Sequence, residues 1–240
     1  MDYYGTTDVG LVRHNNEDRF LVDAALSLAL VADGMGGAAC GEVASALTIE
    51  TVVGYLRNPL EELPPDQLVK EAFREANRRV LDRAGREASC EGMGSTVVAA
   101  FWNLPHVVIA NVGDSRAYLW RDGALSQLSY DQTLANELRT TLGLTEEQIG
   151  AYTSRNVLTM AIGSSENVLI NTREETLRPG DQILLCSDGL YGPVGDQAVA
   201  QILREAAPLR PTVEKLVEAA KAAGGEDNIT AVLLEYLEHD

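Results

Sequence analysis

Residues 28–37 read LALVADGMGG, an apolar run that meets an acid, Asp33, and then three glycines in four residues. The stretch Leu26–Asp33 predicts a buried strand, and its abrupt end raises a question of chemistry. An acid at such a point, followed by backbone nearly bare of side chains, has three local meanings. It can be a tight turn, a phosphate cradle, or a carboxylate offered to a metal ion. The rest of the chain has to choose.

With 240 residues, 45% of them apolar, the chain can bury a substantial core. Its 36 Asp and Glu against 19 Lys and Arg give a formal charge of −17. A surface of that sign repels nucleic acid and anionic lipid, so neither is expected as a partner. Most of the charge reads as solvated surface, but the excess leaves several acids free to converge on a cation. No stretch approaches the ~20 apolar residues of a membrane span. The opening MDYYGTTDVG lacks a basic segment followed by an apolar run, so no secretory signal is expected there. Cys40, Cys90 and Cys186 are odd in number and scattered, which predicts free thiols and a reducing, cytoplasmic setting. None is followed six positions on by arginine; those positions are Ala46, Thr96 and Gly192. A cysteine nucleophile in a C-x5-R loop is thereby excluded.

The chain shows no internal repeat and no low-complexity tract. Val43, Ala46, Ile49, Val53 and Leu56 recur at helical spacing between Gly41 and Arg57, and Val69, Phe73, Ala76 and Val80 mark a second helix. Between 95 and 128 the period shortens to three β-rich runs, STVVAAFW, HVVIANV and SRAYLWR, with Asp122-Gly123 as a hairpin turn. Connections this short predict antiparallel neighbours. QILLCS (182–187), helices near 194–205 and 212–223, and ITAVLLEYL (229–237) follow, with Gly224-Gly225 as a helix cap. Clustered strands and paired helices make an α+β chain, one domain over 1–240. The polar segment 131–165 reads as an inserted lid.

Acids recur at strand ends. Asp33 ends one strand, Asp188 follows another, Asp227 precedes the last, Asp114 sits in a turn, and Asp18 leads into Phe20-Leu21-Val22. Any one Asp-Gly pair is ordinarily a turn. Turns do not require buried strands leading into them, and at least three of these acids have one. Gathering carboxylates without cations costs several kcal/mol in repulsion and desolvation. Two divalent ions would balance Asp18, Asp33, Asp188 and Asp227, and an all-oxygen set favours Mg²⁺ or Mn²⁺ over zinc. Gly34 then offers an unobstructed carbonyl as a neutral ligand.

The ordered motifs D-x-G-x-x-R-x-x-N-E-D (8–18), ADGMGG (32–37), MGST (93–96), VGDSR (112–116), SDGL (187–190) and GGEDNIT (224–230) resemble the bacterial PP2C-type metal-dependent phosphatases across essentially the whole chain. The resemblance implies a four-layer αββα sandwich of two antiparallel sheets flanked by helices, with 131–165 as a flap that influences protein-substrate binding. It implies that Asp33 bridges two ions, that Asp188 and Asp227 hold the first, and that Asp18 and the Gly34 carbonyl hold the second. Asp114, with Asp188, would hold a third ion. Arg13 would grip the substrate phosphate, and Glu17 and Asn228 would stand behind the ligands. The implied activity is hydrolysis of phosphoserine and phosphothreonine on proteins phosphorylated by a serine/threonine kinase. A water shared by the ions would attack phosphorus in line, without a phosphoenzyme. A monomer is expected.

Two positions depart from the pattern. Ala38 follows the glycines where bacterial members commonly carry histidine, and Gln132 stands where the flap region opens with Asp-His. Either histidine would be a natural proton donor or substrate contact. His14, beside Arg13, is a candidate replacement, whereas His106 and His239 lie outside every motif. These departures motivate a second reading, a catalytically weak module that binds phosphoproteins.

Overall fold

Two antiparallel sheets lie face to face, each covered on its outer side by a pair of helices. The computed structural model describes residues 1–240 except 37–39, 155, 206–207 and 238–240. The five-stranded sheet runs β1 (Asp2–Asp8), β11 (Ile229–Glu235), β10 (Gln182–Cys186), β7 (Arg116–Arg121), β8 (Ala124–Gln127). The other runs β2 (Asp18–Asp23), β3 (Leu28–Met35), β5 (Val97–Asn103), β6 (His106–Val112), β9 (Asn171–Thr176), with β4 (Gly94–Ser95) paired to the end of β3. Helices α1 (Cys40–Arg57) and α2 (Pro65–Arg86) pack on the second sheet, α5 (Asp188–Arg204) and α6 (Leu209–Ala222) on the first. Helices α3 (Leu134–Leu142) and α4 (Glu146–Gly150) lie within the segment 131–165.

Strand alternation builds three apolar layers. Along β3, Ala29 and Val31 point between the sheets, where they join Val98, Ile109, Leu185 and Val232. Leu28, Leu30 and Ala32 point the other way, toward Val52, Phe73 and Val80 of the helices. In β10 and β11, Leu184 and Leu233 face Val199 and Leu216, while Ile183 and Leu234 face the inter-sheet core. Successive side chains of a strand take opposite faces, and both faces here are buried, so these strands read as unbroken apolar runs.

Three expectations change. The strand expected to end at Asp33 continues to Met35, because Gly34 and Met35 pair with Ser95 and Gly94. The short connections do not all join antiparallel neighbours: β5 and β6 pair, as do β7 and β8, but β6 and β7 lie in different sheets. The chain crosses between sheets at Gly113–Ser115, with Gly113 at φ 91°. Cys40 and Cys90 are not free thiols. They form a disulfide with Cα atoms 5.4 Å apart, across a sequence separation of 50. Helix α2 doubles back along α1 after a short loop, which brings the 3-10 turn at Ala88–Cys90 beside the first residue of α1. Cys186 is free and fully buried under α5 and α6. The case for a reducing compartment therefore loses two of its three thiols. Among the described residues, no helix is long and apolar enough to cross a membrane.

Candidate active site

The acids meet at one end of the sandwich. Asp18 opens β2 directly opposite Asp33 in the β2–β3 register. Asp188 is the first residue of α5, straight after β10, and Asp227 lies two residues before β11. Asp114 occupies the turn that crosses from one sheet to the other. A cavity of about 280 Å³ opens among them, walled by Asp33, Asp114, Asp188, Asp227 and Glu17. Arg13 and Asn228 stand at its edge, Gly34 and Thr96 line its β3 side, and Asn156 and Leu158 reach in from the segment 131–165. A larger groove, about 860 Å³, lies between α2 and residues 166–169, away from these acids.

Hydrogen bonds lock the backbone that carries each acid. Asp33 N–H donates to Thr96 Oγ1 (3.0 Å) and Thr96 N–H returns a bond to the Asp33 carbonyl (2.8 Å). Thr96 Oγ1 in turn meets Ser115 Oγ at 2.6 Å, which ties Asp33 to the Asp114 turn. Ser187 Oγ donates to Asp18 Oδ2 (2.7 Å) and accepts from Thr230 N–H (3.1 Å). Asn228 uses its whole amide: Oδ1 accepts from Glu17 N–H, and Nδ2 donates to the Val9 and Asn15 carbonyls. That pins the loop bearing Arg13. Gly34 and Gly189 are required by close approach, since a Cβ on either would strike the carbonyl oxygen of Gly41 or Asn228.

The electrostatics are those of crowded like charges. Burial raises the Asp33 carboxyl well above its ordinary range, and Asp18, Asp188, Asp114 and Asp227 push it further. Burial also raises Asp18 to about 6 and Asp114 to about 7, with Asp188 adding to each. Asp188 is raised by burial and by Asp227, against a hydrogen bond with Asp33 and the nearby Arg13. Burial lifts Glu17 while Arg13 opposes.

Among the described residues, no three His, Cys, Asp or Glu side chains already close around a point as metal ligands do. The donor set nevertheless fits a hard cation. Asp18 Oδ1 is buried without a hydrogen-bond partner, an arrangement that costs about 1–3 kcal/mol or more for a charged group unless something fills it. The lining carboxylates repel one another, and among the described residues neither His nor Cys shares the cavity wall.

Asp33, Gly34, Asp114, Asp188, Asp227 and Arg13 all reach the cavity, while Asp18 lies fully buried behind Asp33 and Glu17 takes a place on the wall. Arg13 Nη2 donates to Asp227 Oδ2 at 2.8 Å, with the arginine half-exposed. His14 is exposed and does not line the cavity. Gln132 is buried and is not among the residues that line it. Gly37, Ala38, Arg155 and His239 lie outside the described residues. Thr96, Ser187, Asn156 and Leu158 had no assigned role; the first two stand inside quoted motifs, MGST and SDGL, where Thr96 holds the Asp33 backbone and Ser187 the Asp18 carboxylate.

The profile of the family described as Protein phosphatase 2C matches residues 12–237. The serine/threonine phosphatase stp of Listeria monocytogenes is 34% identical over 235 residues, 95% of this chain and 93% of that protein. The serine/threonine protein phosphatase PstP of Mycobacterium tuberculosis is 36% identical over 242 residues, all of this chain and 46% of that longer protein. A solved structure of the PstP catalytic domain in complex with two manganese ions superposes with a TM-score of 0.86 at 33% identity, covering 99% of this chain and 98% of that one. The chain belongs to the Protein phosphatase 2C family, and its four-layer αββα sandwich is the fold of the family's solved structures.

Proposed function

We propose that the chain is a metal-dependent protein serine/threonine phosphatase, one domain over 1–240 with 131–165 as its flap. The observation that carries this is the convergence of Asp33, Asp114, Asp188 and Asp227, with Arg13, on one small cavity. Two Mn²⁺ or Mg²⁺ ions there would supply Lewis-acid activation of a water and neutralise the developing phosphoryl charge. Asp33, at the centre of the cluster, would bridge them. Asp188 and Asp227 would hold one ion, and the Gly34 carbonyl with Asp18 the other; Glu17 stands on the same wall to assist. Asp114 with Asp188 would hold a third.

Arg13 has Nη2 on Asp227 and is half-exposed at the cavity edge, so its planar fork can take two phosphoryl oxygens while the ion pair orients it. Its substrates would be phosphoproteins made by a serine/threonine kinase. The weak-module reading drew on Ala38 and Gln132. Gln132 is buried outside the cavity, so a histidine missing there takes no acid from the site.

The test is hydrolysis of a phosphothreonine peptide and an aryl phosphate with Mn²⁺, with and without chelator. Chelation should abolish turnover, and Asp188→Asn should lower kcat/KM by at least about a hundredfold, the scale on which metal-site changes act. Peptide binding without turnover would favour the module instead.

A further inference from the structure

The flap is stitched at its base to the turn that carries Asp114. Asn111 brackets Tyr130, accepting from its N–H at 3.1 Å and donating to its carbonyl at 2.8 Å. Arg116 grips the Asp131 carboxylate through Nε (3.0 Å) and Nη2 (2.6 Å). The same guanidinium stacks 3.7 Å from the Tyr191 ring centre, and Tyr191 Oη donates to the Asp114 carbonyl at 3.1 Å.

Gln132 lies between these stitches, 4% exposed, with all four of its polar groups engaged. Its backbone N–H donates to the Gly113 carbonyl (3.0 Å) and its carbonyl accepts from Thr159 N–H (2.9 Å). Its side-chain Oε1 accepts from Gly113 N–H (2.7 Å), and Nε2 donates to the Leu169 carbonyl (2.8 Å). Gly113 is therefore held at both its N–H and its carbonyl, one residue before Asp114. The returning flap strand hangs from the same place: Leu134 N–H donates to the Val157 carbonyl, and Thr133 bridges Leu158. Asn156 and Leu158 are the flap's contribution to the cavity wall.

We infer that Gln132 is a positioning residue. Its side chain joins the Asp114 turn, at Gly113, to the chain leaving the flap, at Leu169, while its backbone carbonyl holds Thr159 beside the flap wall, so that the site's third-ion acid and its substrate-facing wall move together. The inference rests on the phosphatase reading of the site. The chemistry it requires is one acceptor and one donor at opposite ends of a neutral side chain, which a primary amide supplies without titrating. Without that side chain, the buried Gly113 N–H would be left unpaired and the exposed Leu169 would lose its tie to the Asp114 turn.

The test uses the full chain with Gln132→Met, which keeps volume and loses both bonds, and Gln132→His at about pH 8, where neutral imidazole again offers one acceptor and one donor. For Gln132→Met, calorimetric Mn²⁺ titration should show the weakest binding step weakened about tenfold, the scale of lost support behind a metal site. The KM for a phosphothreonine peptide should rise more than the KM for an aryl phosphate, and excess Mn²⁺ should restore kcat. Amide exchange over 156–169 should quicken, and Gln132→His should return each readout toward wild type. If Gln132→Met matches wild type in Mn²⁺ binding and in the two KM values, or if Gln132→His is as impaired as Gln132→Met, the clamp is overturned. Should Gln132→Met fail to fold, Gln132→Asn, too short to reach both partners, carries the same expectations. A wild-type protein that hydrolyses neither substrate would sink the phosphatase reading, while Mn²⁺ titration and exchange would still judge the clamp.

Discussion

Asp18, Asp33 and Asp114 sit where burial and mutual repulsion favour their protonated forms. A carboxyl whose pKa is higher folded than unfolded binds its proton more tightly in the fold. Its stabilising contribution is complete below the unfolded value and is lost as pH rises through the folded one. The metal-free protein should therefore lose melting temperature between about pH 4 and pH 7. That window runs from the ordinary 3.8 to the values of about 6 for Asp18 and about 7 for Asp114. Divalent cations compete with those protons, so the rise in melting temperature on adding Mn²⁺ should grow across the same window. Calorimetric scans with and without Mn²⁺ decide it; a metal-free profile flat over that range, or a Mn²⁺ effect independent of pH, would contradict the proton-for-metal exchange. The acids themselves were legible in the sequence, because strand ends leading into Asp are uncommon and recur here. Of their supports, Asn228, which bonds the Val9 and Asn15 carbonyls, came only through the family resemblance. Ser187 and Thr96 act by hydrogen bonds to groups far away in the chain, and nothing local announces such partners. Gln132 read as a missing proton donor for the same reason: its partners, Gly113 and Leu169, are set by the flap's path.

Helix α1 shows how an element can be found and its face misjudged. The apolar pattern put Val43 and Ala46 inward, yet both are only partly buried, and Ala44, Ser45 and Thr48 lie in the interior. The hydroxyls are accommodated because Thr48 Oγ1 donates to the Ala44 carbonyl and Ser45 Oγ to the Glu17 carbonyl, so polar residues could take the tight contact. That second bond ties α1 to the strand bearing Asp18. The Cys40–Cys90 disulfide anchors the start of the same helix, and it closes a loop of 50 residues. A crosslink of that span stabilises by about 2–4 kcal/mol, mainly by constraining the unfolded chain. Reductant should lower the melting temperature of the wild type, and the Cys40→Ser/Cys90→Ser protein should melt where the reduced wild type does, indifferent to reductant. Thiol titration of unfolded, unreduced protein should count one free cysteine, Cys186; a count of three would remove the bond. Strands β1 and β9 escaped the sequence reading because DYYGTTD and NTREET are polar edge strands whose partners supply the pattern. The β6–β7 crossing escaped it because turn length reports distance between strand ends, not which sheet receives the next strand.

At the scale of the whole molecule, the charge of −17 becomes a filter on substrates. Ions bound among the lining acids would neutralise charge inside the cavity but not over the surface around it. Among the described residues, Arg13 is the one basic side chain that lines the cavity. An approaching phosphopeptide carries negative charge already, so the surrounding field opposes it before the ions can attract it. Lys or Arg beside the phosphorylated residue would offset that opposition, and Asp or Glu would add to it. Peptides of one length, differing only in flanking charge, should therefore rank with basic flanks above acidic ones in kcat/KM. The advantage should be carried mainly by KM, because the field acts on encounter and binding rather than on the phosphoryl transfer itself. Screening supplies the control: the Debye length falls from about 30 Å at 0.01 M salt to about 8 Å at 0.15 M, so a long-range origin requires the ranking to shrink as salt is raised. A preference unchanged across that range would point to direct contacts at the flap wall, Asn156 and Leu158, rather than to the field of the molecule.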